Sequence, residues 1–168
     1  MSKCSLIYSI CSILAIATCC SSEVEEISRE TVDEAVIRVY DEDLNKVEVK
    51  SVLVDGEGVF SDTLKIDSGA IYTADWLIFD NDNDEQPNLH LEVVERSEDF
   101  AFVYTSLGNQ TDIIYGDADK NNETLGLKIQ LRKNTALPDS IRCALYKVDN
   151  KSNMSSAPLV FSTKLFLK

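Results

Sequence analysis

Basic residues, histidine, proline and glycine are all scarce in this chain. Lys and Arg number 16 against 29 Asp and Glu, a net charge of −13 over 168 residues. Phosphate binding needs a basic face, so nucleic acid is excluded as a partner. The same shortage argues against a peripheral protein held on anionic lipid by charge alone. The chain has one His, His90. A nucleophilic triad needs a base held against a nucleophile, and a zinc site of the usual kind wants more His or Cys than this chain supplies. No Gly-rich phosphate loop, CxxC pair or internal repeat is present. There is one Trp, Trp76. The carboxylates Glu92, Glu95, Glu98 and Asp99 therefore lack the aromatic-lined cleft that paired-carboxylate hydrolysis of sugars uses. The expectation is a protein that is not an enzyme.

No apolar run is long enough for an ordinary membrane span, but one is the right length for a signal-peptide core. It extends from Leu6 to Ala17 behind Lys3. It ends in Ile16-Ala17-Thr18-Cys19-Cys20, which resembles a bacterial lipobox. There a thiol is required because the diacylglyceryl group is attached as a thioether. Cys19 and Cys20 are both candidates for lipidation. Ser21-Ser22-Glu23-Val24-Glu25-Glu26 follows and resembles the surface-export signal of Bacteroidota lipoproteins. The expected organisation is a signal peptide over 1–19, an acidic tether over 20–34 and a single domain over 35–168. Cys4 and Cys11 leave with the signal, so no disulfide framework remains. Cys143 falls on the apolar phase of Ile141-Arg142-Cys143-Ala144-Leu145 and reads as a buried, inert thiol.

The rest of the chain reads as short strands divided by Gly, Asn and Asp turns. Strands are expected at Val36–Tyr40, Lys46–Val54, Val59–Ile66, Ala70–Asp80, Leu89–Val94, Phe100–Thr105, Asp112–Tyr115, Leu125–Leu131, Ile141–Val148 and Leu159–Leu167. A phase change at Ser51-Val52 predicts a bulge or bend. His90 lies opposite the apolar phase of its strand and reads as a surface residue. About nine strands without a long helix predict an all-β fold, an antiparallel β-sandwich of general Ig-like form, with a barrel as the alternative.

Two loops have the oxygen-rich character that calcium requires. Asp80-Asn81-Asp82-Asn83-Asp84-Glu85 alternates carboxylates, making Asp80, Asp82 and Asp84 candidate ligands. Asp117-Ala118-Asp119-Lys120-Asn121 opens like a calcium loop, which adds Asp119 and Asn121 beside Asp117. Asn122 and Lys128 stand where an EF-hand needs Gly and Glu, so it is no EF-hand. The plain alternative for each loop is a polar turn. Asp62-Thr63-Leu64 and Asp139-Ser140-Ile141 also resemble a short O-glycosylation motif of exported Bacteroidota proteins.

Several segments together carry a wider resemblance. They are Asp62–Ile66 and Gly69–Thr73, then Leu91–Tyr104, Tyr115–Asn121, and Leu125-Gly126-Leu127. Their order is similar to that of a family of small Bacteroidota envelope lipoproteins, especially from flavobacteria. That family is loosely described under a type 1 periplasmic-binding fold, a fold name that the strand pattern here does not support. The chain departs from the family in having Phe100 where relatives commonly carry His, and Asn122 for the turn Gly. The resemblance implies a cell-envelope lipoprotein with no established reaction.

The expectation is therefore an outer-membrane lipoprotein, on the periplasmic or surface face, held to the membrane through its N-terminal lipid. It would be a binding or accessory module for another envelope protein, such as an outer-membrane receptor. The alternative is a calcium-stabilised structural or adhesin-like surface domain.

Overall fold

A computed structural model describes residues 27, 31–81, 88–149, 151–152 and 154–168. Cys19, Cys20, Asp82 and Asp84 lie outside the described residues. The strands are β1 (Glu34–Tyr40), β2 (Lys46–Val54), β3 (Glu57–Leu64), β4 (Ile71–Phe79), β5 (Phe100–Ser106), β6 (Thr111–Tyr115), β7 (Lys128–Lys133), β8 (Asp139–Lys147) and β9 (Leu159–Leu167). One short helix, α1 (His90–Glu95), and a 3₁₀ turn at Ser97–Asp99 precede β5. The protein is all-β, as its alternation predicts.

Local chemistry sets the connections. Asp41 Oδ1 accepts from the backbone N–H groups of Asp43 and Asn45, closing the turn after β1. Asp55 and Gly56 have φ of 51° and 71°, the left-handed pair that joins β2 to β3 in a tight hairpin. β1 lies between β2 and β4 in antiparallel register, and Arg38 of β1 faces Asp75 of β4. Their bidentate ion pair, 2.7 and 2.6 Å, sits on the outer face.

The arrangement of strands differs from the expected antiparallel sandwich. All nine form one hydrogen-bonded order, β5-β8-β9-β3-β2-β1-β4-β7-β6. β3 runs parallel to β9, so the sheet is mixed. Its edge strands approach each other. Tyr104 of β5 and Tyr115 of β6 meet edge-to-face at 5.6 Å, and Phe102 N donates to Leu125 O at 2.8 Å. The result is a single sheet curled nearly into a barrel rather than two stacked sheets. Twist accumulated over nine strands brings the edges together and reduces exposed edge.

Three local expectations are also corrected. Ser51 does not mark a bulge. β2 pairs with β1 in unbroken register, and Ser51 takes an inward position between Val49 and Leu53. Its hydroxyl is matched by Thr163 Oγ1 at 2.8 Å, which lets a polar residue occupy the core phase. The register shift falls instead in β3, between Val59 and Thr63. Leu89–Val94 is helix rather than strand. Leu89 and Val93, one turn apart, are buried while Leu91 is exposed. Finally, Leu125 and Leu127 keep their inward phase but precede the strand, because Gly126 turns at φ 87°.

The core is centred on Trp76, whose ring meets Phe60, Phe102, Tyr104 and Phe161 at centroid distances of 5.6 to 6.3 Å. Ile27 and Val32, within the stretch read as a tether, are buried in the same core.

Candidate functional site

The topology gathers the acidic segments at one end of the barrel. The segment from Asp80 follows the C-terminal end of β4, α1 and the 3₁₀ turn lead into the start of β5, and residues 116–127 connect the end of β6 to β7. These three ends lie together. Phe79 bridges Asn88, Leu89 N donates to Ile78 O, and the Lys120 ammonium pairs with Glu98. Asp80, Asn88, the stretch Glu92–Asp99 and the loop 117–123 therefore share one rim.

Why α1 forms is local. Asn88 Oδ1 accepts from His90 N at 3.0 Å, and Arg96 reaches back one turn to Glu92 at 2.9 Å. Arg96 also bonds Asp99 and lies over the Phe100 ring at 5.7 Å. Its guanidinium thus holds the helix, the 3₁₀ turn and the start of β5 together.

In the second candidate loop the carboxylates act on the backbone. Asp117 Oδ1 accepts from Gly126 N at 2.7 Å and Oδ2 from Lys128 N at 3.0 Å. Asp119 Oδ1 accepts from Asn121 N and Glu123 N at 2.7 and 2.9 Å, and Lys151 Nζ stands 3.0 Å from Oδ2. Burial opposes ionisation of Asp119, but the Glu123 N–H, Lys151 and the Asn121 N–H outweigh it and hold the carboxyl below its ordinary range. Asn121 is exposed. Asp117, Asp119 and Asn121 thus belong to one turn, whose two carboxylates staple the crossing to β7. Among the described residues no three His, Cys, Asp or Glu side chains are grouped so as to hold a metal ion. Asp80, at the start of the other loop, is buried.

The basic side chains of this rim are engaged by its own acids. Lys120 holds the Glu98 carboxyl below the usual range. Arg96 serves Glu92 and Asp99, and Lys151 serves Asp119. The Lys151 contact spans 32 positions and had no local signal.

His90 is half-buried rather than on a strand surface. Burial, then the nearby Arg38 guanidinium, push its imidazole below the ordinary range. The Cys143 thiol is buried, which pushes it well up and keeps it protonated. Thr63 is exposed on β3. In the second short motif the Asp139 carboxylate is instead consumed by Ser106, Gly108, Gln110 and Ser140. Among the described residues no helix is long and apolar enough to cross a membrane. No family model, curated protein or solved structure matches the chain.

Proposed function

We propose that the chain is a lipid-anchored protein of the outer membrane that acts as a non-catalytic binding or accessory module. Its acidic loop end meets a basic surface of another envelope protein. One observation carries this reading. The stretch Glu92–Asp99 and the loop 117–123, far apart in sequence, share one rim on which Glu95 and Glu123 are exposed. Acidic loops on a rigid β scaffold are suited to recognition, because the frame fixes where each carboxylate stands.

A photo-crosslinker at exposed Asn121, compared with one at Leu44 in the β1–β2 turn at the opposite end, tests the site. Capture of one defined envelope protein from Asn121 and not from Leu44 is expected. Equal capture from both positions refutes the docking assignment. The anchor is tested separately by palmitate labelling of the wild type, Cys19→Ala and Cys20→Ala. Persistent labelling in both variants removes these cysteines as the lipid site.

The alternative reading is a calcium-stabilised surface domain. Calcium that binds only the folded chain must raise the unfolding midpoint. An unchanged midpoint at millimolar calcium against chelator discards that reading. A rise retained in Asp117→Asn removes the 117–121 turn as the cation site.

A further inference from the structure

One wall of the barrel departs from the character of the whole chain. Val52 and Val54 on β2 are 70% and 71% exposed, and Val59 on β3 is 54% exposed. They belong to one outer face, because Leu53 pairs with Gly58 and Val54 with Glu57 across the hairpin while Phe60 turns inward. Next to them, on β9, Lys164 faces Val59, and Arg142 of β8 faces Lys164. Lys164 Nζ lies 4.8 Å from the ring centre of Phe166, which is partly exposed on the same face. This wall thus combines exposed valines with Lys164 and Arg142, and Glu57 opposite Val54 is its nearby acid, in a chain of net charge −13. Exposed apolar groups collected on one face mark an interaction surface rather than the scattered exposure of an ordinary surface.

We propose that this wall rests on the lipid surface to which the N-terminus is anchored, an inference that depends on the lipoprotein reading above. The position of the incoming chain supports it. Leu53 N donates to Asp33 O at 2.7 Å, so the segment leading into β1 lies beside the residue between Val52 and Val54. Ile27 is already in the core. At about 3.5 Å per residue, the chain from Cys20 to Ile27 reaches at most about 25 Å. A lipid on Cys19 or Cys20 therefore holds the barrel close to the bilayer. Three valines suit the acyl boundary, and Lys164 and Arg142 suit lipid phosphates just above it. Short reach makes a weak contact effective, because docking becomes an event within one tethered molecule.

The test uses the full chain reconstituted in vesicles of phosphatidylethanolamine and phosphatidylglycerol with dibrominated acyl chains. V59W puts a reporter on the wall, and I114W puts one on exposed Ile114 of β6, five positions away in the strand order. Trp76, in the core, supplies a constant background. V59W is expected to shift to the blue and lose about half its added emission to bromine, with I114W unaffected. Equal quenching of both variants, or none in V59W, overturns the proposal. A blue shift without bromine quenching, accompanied by a dimer in sedimentation, assigns the wall to a second copy and overturns it too. Intact mass of the purified chain separates the two readings. An acylated chain without quenching defeats the docking proposal alone, whereas a chain without acyl groups defeats both.

Discussion

Asp139 offers the sharpest test of what closes the end of the barrel away from the acidic rim. Its Oδ1 accepts from Gly108 N at 2.8 Å and from Ser140 N at 2.7 Å. Oδ2 accepts from Ser106 Oγ at 2.7 Å and from Gln110 N at 3.1 Å. One buried carboxylate thus ties the β5–β6 connection to the first turn of β8. Gly108 permits this approach, since a Cβ there would stand 2.7 Å from Oδ1. Asp139→Asn keeps the shape but replaces one oxygen by an amide nitrogen. In either orientation the new amide N–H groups face at least one backbone N–H donor. One or two charge-assisted bonds are lost in a partly wet site, a cost of about 2–4 kcal/mol. At roughly 3–4 °C per kcal/mol for a domain of this size, the midpoint falls by about 6–16 °C. Burial opposes ionisation of Asp139, but the Ser106 hydroxyl and the Gly108 and Ser140 N–H groups hold its carboxyl below the ordinary range. A depressed carboxyl contributes stability above its unfolded value near ~3.9 and loses it as pH falls through the folded value. The gap between wild type and variant should therefore narrow below about pH 4 in urea titrations. A gap under about 0.5 kcal/mol at pH 7, or one unchanged at low pH, refutes the reasoning.

Three other outcomes follow from the same structure. Gly126→Ala forces a side chain onto φ 87° and sets its Cβ 2.9 Å from Phe102 Cβ and from Tyr115 Cε1. It should cost about 2–4 kcal/mol in urea unfolding, through strain and overpacking at the seam. Burial and Arg38 depress the His90 imidazole, so its share of stability is complete above about pH 6.5 and declines as pH falls. His90→Gln should flatten the stability profile between pH 7 and 5, and an unchanged slope would show that His90 does not produce it. Ser51→Ala strands the Thr163 hydroxyl in the core and should cost about 1–2 kcal/mol, while Ser51→Ala with Thr163→Val recovers most of the loss in a double-mutant cycle.

Strand identity was legible because each β segment needs only its own period to reveal it. Leu127, Ile129 and Leu131 point inward as their alternation says. Neighbour choice was not legible, since the parallel match of β3 with β9 joins residues about a hundred positions apart and leaves no local trace. Leu89–Val94 was misread because Leu89 and Val93 satisfy both the strand and the helix period in so short a window. The overlooked signals were Asn88 at its start and the Glu92–Arg96 spacing. Ser51 misled for a different reason. A hydroxyl inside a core is readable only from its partner, and Thr163 lies at the far end of the chain. For the acidic loops, composition located the residues but not their work. Asp117 and Asp119 look like cation ligands in isolation, and only the folded crossing shows the backbone N–H groups they serve.

Charge and anchoring constrain each other on the proposed orientation. A chain of net charge −13 is repelled as a whole by an anionic bilayer, so contact must come from a local surface that is not acidic. The wall with Val52, Val54, Val59, Lys164 and Arg142 has two cations against Glu57, and its hairpin lies beside the segment that leads into β1. The stretch Glu92–Asp99 and the loop 117–123 lie at this same end of the barrel, away from β2 and β3. With the wall on lipid, the rim faces along the membrane plane instead of into it. A partner whose basic surface stands just above the bilayer then meets the rim from the side. The carboxylates stay in water, where their screening length is about 8 Å at physiological salt. Recognition by the rim would therefore be local and salt-sensitive, whereas the apolar wall contact would survive added salt. Crosslinking from Asn121 and bromine quenching of V59W should consequently separate as sodium chloride is raised, the first falling while the second persists.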